Sequence, residues 1–117
     1  MIEQSMEKAR ILELAAKANG GLVYIPDLGW IFEDANGNRG SWWNPYESDS
    51  DAFKLLVNLK LTITYSEYKG IMFVNVEAEN RKGAYEVFQH PDDKVPRDKR
   101  AIIREAIVKT AAILGMS

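Results

Sequence analysis

The chain has 117 residues, 46% hydrophobic and 27% charged, with a formal net charge of −2 and no cysteine. That is the size and composition of one soluble domain, residues 1–117, able to bury a core without cross-links. The charge balance disfavours nucleic acid as a partner. The lack of cysteine removes disulfide scaffolds, cysteine zinc sites and thiol nucleophiles. No apolar run approaches membrane-spanning length, and Met1 to Glu7 has neither the basic start nor the apolar middle of a signal peptide. A cytoplasmic protein without membrane contact is therefore expected.

Residues 3 to 18 read as an amphipathic helix. Glu3, Glu7, Arg10, Glu13 and Lys17 recur at helical steps as a polar stripe, and Asn19-Gly20-Gly21 supplies the stop. Leu22 to Ile25 and Gly29 to Glu33 are short β-favouring runs. Asn36-Gly37 is a hairpin turn signal, and Arg39 to Trp43 is a candidate third strand returning along 29 to 33. Ser48 to Leu59 reads as a second helix, capped by Ser48 or Asp49, with Phe53, Leu56, Val57 and Lys60 on its apolar face and Ala52, Leu55 and Leu59 widening it. Leu61 to Ser66, Ile71 to Ala78 and Ala84 to Gln89 alternate as three strands of an antiparallel meander. Two prolines make His90 to Pro96 a loop. Asp98 to Leu114 reads as the closing helix. Its buried stripe is expected to be Ile103, Ala106, Ile107, Thr110, Ile113 and Leu114, with Lys99, Arg100, Arg104 and Glu105 facing out and Gly115 ending it. The resulting fold class is α+β, order α-β-β-(β)-α-β-β-β-α: an antiparallel sheet, built from an N-terminal hairpin and the meander, packed with three helices.

No complete catalytic set stands out. Asp34-Ala35-Asn36-Gly37-Asn38 starts like a calcium loop, but Arg39 replaces its required glycine and Pro45 its final glutamate, so it reads as a hairpin tip. Glu47, Asp49 and Asp51 suit helix capping better than a cation, and no metal or cofactor is expected. His90 is the single histidine and no G-x-S-x-G elbow accompanies it, so it reads as a loop residue. Lys94, Arg97, Lys99, Arg100 and Arg104 form the one basic concentration, diluted by Asp92, Asp93, Asp98 and Glu105. A phosphate-bearing small molecule could pair with it at the helix start. Trp30, Trp42, Trp43 and Tyr46 could stack a base or anchor a loop. Strand alternation turns Trp42 and Trp43 opposite ways, which leaves one of them a candidate for exposure.

Trp43-Asn44-Pro45, Asp51-Ala52 opening a helix, and Arg104, Ala106 and Ile107 leading to Gly115 together resemble the NinX-like accessory proteins of tailed phages and prophages. Thr110 departs from the pattern, which favours alanine there. The resemblance implies a phage-encoded protein of the host cytoplasm and no settled activity. Two arrangements of its residues are open: a static junction of Trp42, Pro45 and Asp51, with Asp51 paired to Arg104, or a pocket with Trp43 as wall, Asn44 as polar reader, and Arg100 and Arg104 as anion clamp. The leading expectation is a non-enzymatic protein that binds a host or defence protein or a second copy of itself. A nucleotide-type ligand binder comes second, and a metal-dependent hydrolase built on Asp49 and Asp51 third.

Overall fold

The computed structural model describes residues 2–78, 81–89 and 98–116. Among them are three helices and six strands: α1 (Ile2–Asn19), β1 (Leu22–Ile25), β2 (Gly29–Glu33), β3 (Arg39–Trp43), α2 (Asp49–Asn58), β4 (Leu61–Tyr68), β5 (Ile71–Ala78), β6 (Arg81–Gln89) and α3 (Lys99–Gly115). The α+β order expected from the sequence is the observed one, including the third N-terminal strand. The strands form two separate antiparallel sheets, β1-β2-β3 and β4-β5-β6. The molecule measures 52 × 34 × 24 Å, with a radius of gyration of 14.9 Å. A sphere-like chain of this length would have about 13 Å, so the molecule is elongated.

Turn chemistry explains the hairpins. Asp34 Oδ1 accepts from the N–H groups of Asn36 and Asn38, both at 2.9 Å, and Gly37 takes a positive φ of 83°, which glycine adopts without strain. Those N–H bonds, that of Asn38 first, hold the Asp34 carboxyl below its ordinary pKa. The meander turns at Lys69 and Gly70, both with positive φ.

The core lies between the inner face of the second sheet and α3. In β5, Met72, Val74 and Val76 are buried while Phe73 and Glu77 are exposed, the alternation expected of a strand with one covered face. The helix α3 is buried on more sides than a single stripe allows. Ile102, Val108, Ala111 and Ala112 join Ala106, Ile107 and Thr110 inside, because α1, α2 and the β5-β6 strands all pack on it. Ile113, expected inside, is exposed. Gly115 is not a helix stop but the last helical residue: a Cβ there would stand 1.9 Å from the Leu14 carbonyl oxygen of α1. The apolar face of α2 also turns differently from expectation. Ala52 and Leu55 are buried, whereas Phe53 is 64% and Val57 54% exposed.

Candidate functional site

The chain between β3 and α2 is a closed hydrogen-bonded corner. Ser48 caps α2, its Oγ accepting from the Asp51 N–H at 3.2 Å. Asp51, 8% exposed, reaches back, and its Oδ2 accepts from the Asn44 N–H at 2.9 Å. Asn44 Oδ1 in turn accepts from the Tyr46 N–H at 3.1 Å, while its carbonyl accepts from Glu47 and Ser48. This is a capping box stretched by four residues, in which the carboxylate satisfies an N–H ahead of the cap rather than at it. Pro45 is fully buried at the centre.

The closing helix pins the corner. Arg104 Nε donates to the Tyr46 carbonyl at 2.8 Å, and its Nη1 meets Asp49 Oδ1 at 2.5 Å. Its side chain is only 16% exposed, so it does not face out as expected, and its carboxylate partner is Asp49 rather than Asp51. Asp49 also meets Arg100 at 3.4 Å. An anion clamp at Arg104 would have to displace a carboxylate already seated there, and Asp49 and Asp51 are both engaged as acceptors rather than left for a cation. Among the described residues no group of acidic or histidine side chains has metal-binding spacing. His90, Lys94 and Arg97 lie outside the described residues.

A second exposed link ties α3 to the meander. Lys99 Nζ sits 2.9 Å from Glu67 Oε1, which also accepts from the Tyr65 hydroxyl at 2.7 Å. Lys99 holds the Glu67 carboxyl below its ordinary value, and Glu67 raises both the Tyr65 phenol and the Lys99 ammonium.

An open groove lies beside the tryptophan pair. Tyr24, Trp30 and Trp43 are direct cross-strand partners and make one row across the first sheet. Tyr24 and Trp30 hold their rings 5.3 Å apart and tilted, a favourable aromatic geometry. Facing them, α1 presents Ala9, Arg10, Leu12 and Glu13. Between lies a groove of about 830 Å³, bordered also by Leu28, Trp42 and Asn44. Arg10 and Glu13 pair with each other at 3.4 Å. The volume is that of a ligand site, and the lining is mostly apolar with a few polar groups.

The two tryptophans divide the roles that the sequence left open. Trp43 is 2% exposed and belongs to the core, so its ring is not available as a stacking wall. Trp42 is 52% exposed on the groove border rather than locked into the junction. Of the expected binding residues Trp43, Asn44, Arg100 and Arg104, the first two border the groove and the two arginines do not. Tyr24 and Leu28, both exposed on the groove, escaped the sequence reading. The cross-strand pairing of Tyr24 with Trp30 across the Pro26-Asp27 break was the one signal that could have found Tyr24.

No helix among the described residues is long and apolar enough to cross a membrane. Compared with protein-family models, curated proteins and solved structures, the chain matches none.

Proposed function

We propose that this protein acts by binding rather than by catalysis, and that the groove between α1 and the first sheet receives an apolar, extended segment of a partner protein. One observation carries the reading: Tyr24, Leu28 and Trp42, three large apolar side chains that are each more than half exposed, gather around one groove. Large apolar patches on a soluble domain mark interaction sites, and tyrosine and tryptophan dominate binding energy at interfaces. The two charged side chains on the groove already pair with each other, so a phosphate-bearing ligand gains little there. The kinship with NinX-like phage proteins belongs to the same proposal: a phage-encoded accessory protein meeting a host or defence protein in the host cytoplasm.

The test uses the protein's own optics. The chain has three tryptophans, and all three border the groove, so intrinsic emission reports its occupancy. Peptides selected from a random extended library, and a nucleotide panel, are titrated against the wild type, Leu28→Glu and Trp42→Glu. The expected result is an emission shift with the peptides, absent in both variants, with their melting temperatures unchanged. A shift with nucleotides alone, or peptide binding that survives both substitutions, overturns the proposal.

A further inference from the structure

We infer that the edge strand β4 is a self-association surface, pairing antiparallel with β4 of a second copy to join the two meanders into one six-stranded sheet. This goes beyond the groove and does not depend on it.

An open sheet edge invites another strand, and soluble proteins protect such edges with bulges, prolines, lysines or short length. The first sheet shows these devices. Its edge β1 has four residues and runs directly into Pro26. Its edge β3 carries a bulge, because its register with β2 shifts between Ile31 and Glu33. The strand β4 has none of them. It runs eight residues, Leu61–Tyr68, in unbroken register with β5. Its sequence, Leu-Thr-Ile-Thr-Tyr-Ser-Glu-Tyr, holds no proline or lysine and is rich in β-branched and aromatic residues. From Thr64 to Tyr68 it is exposed throughout. No backbone bond joins β4 to anything on its side away from β5 among the described residues.

The occupant follows from the strand's own chemistry. With a two-fold axis through Thr64, Ile63 faces Tyr65 of the second copy, Thr62 faces Ser66, and Thr64 faces Thr64. Each is a favoured cross-strand type: β-branched with aromatic, or hydroxyl with hydroxyl. Facing residues share a sheet face, as antiparallel pairing requires. The charged residue of the strand, Glu67, falls at the far end opposite Leu61, and its own Lys99 neutralises it, so no like charges oppose each other. Isologous pairing of this kind closes on itself and stops at a dimer. A strand pair alone makes an interface at the small end of the usual range, so the dimer is concentration-dependent.

Sedimentation velocity over about a hundredfold range of protein concentration reads the association. A single engineered thiol reads the register, because the chain has no cysteine. Paired Cα atoms across antiparallel strands stand about 4.5–5.5 Å apart, within disulfide reach. The expected result is a monomer–dimer equilibrium in the wild type. Thr64→Cys should give a rapid disulfide dimer on mild oxidation, and the control Asn36→Cys at the tip of the first sheet should not. Thr64→Lys, which sets two ammonium groups face to face at an exposed position, should be monomeric with an unchanged circular dichroism spectrum. A wild type monomeric across the range overturns the inference. So does a dimer that Thr64→Lys leaves intact, or a Thr64→Cys cross-link no faster than the control.

Discussion

The two sheets have the same strand count and the same up-and-down order, yet they do different work. The second is long-stranded, and its central strand puts Met72, Val74 and Val76 under α3. The first has strands of four or five residues, a bulge and a half-covered aromatic face, and it leaves a groove where it meets α1. Stability is therefore expected to concentrate in one half and recognition in the other. Local stability follows buried apolar contact, and binding surfaces come from the less stable end of a structure.

That contrast can be broken by matched substitutions. The largest expected effect is at glycine. Gly115→Ala drives a methyl into the Leu14 carbonyl and should cost about 2–3 kcal/mol despite the better helix propensity of alanine. Gly40→Ala in β3 meets only Phe32 Cβ at an ordinary 3.5 Å and should be nearly neutral. Urea denaturation measures both, and equal losses would erase the distinction. Next comes valine. Val74→Ala, in the closed row of β5, should cost about 2 kcal/mol, and Val23→Ala, half-buried in β1, less than about 1 kcal/mol. At the corner that joins the halves, Asp51→Ala removes the acceptor for the Asn44 N–H and should cost about 1–2 kcal/mol, seen as a lower thermal midpoint without loss of helix signal.

The smallest effect is a pH dependence of the outer link. Because Lys99 depresses the Glu67 carboxyl below its ordinary 4.5, the stabilisation is present above that value and is lost as the pH falls through the lower folded one. The gap in melting temperature between wild type and Glu67→Gln should therefore be steady near neutrality and close on acidification. High salt should narrow it as well, since the pair is exposed. A gap that widens in acid would contradict the assigned link.

Element order was legible because each element carried local chemistry: Asn36-Gly37 for the first hairpin, Ser48 for the start of α2, strict alternation in β5. Orientation was legible only where one face was clearly polar. Around α2, Ala52, Phe53, Leu55, Leu56, Val57 and Leu59 are apolar on nearly every side, so periodicity could not choose which residues turn inward. The approach of α3 made that choice, closing Ala52 and Leu55 and leaving Phe53 and Val57 outside. The same approach selected Asp49 over Asp51 as the partner of Arg104. The two carboxylates sit two positions apart and so point to different sides of the helix. In α3 the buried surface is wider than the expected stripe, since neighbours cover a helix on three sides only when long-range packing brings them there. The groove was invisible as a unit because Ala9, Leu12, Tyr24, Leu28 and Trp42 meet only after α1 and the first sheet are laid together.

The packing of α1 along α3 has a kinetic consequence. The first and last of the described helices interlock, with Gly115 seated against Leu14, so that contact spans nearly the whole chain. Contacts of such long range close slowly, because the intervening loop must be ordered before they repay its entropy. During synthesis α1 lacks its main packing partner until α3 has left the ribosome. The structure should therefore lock late and all at once, with the short hairpins flickering long before.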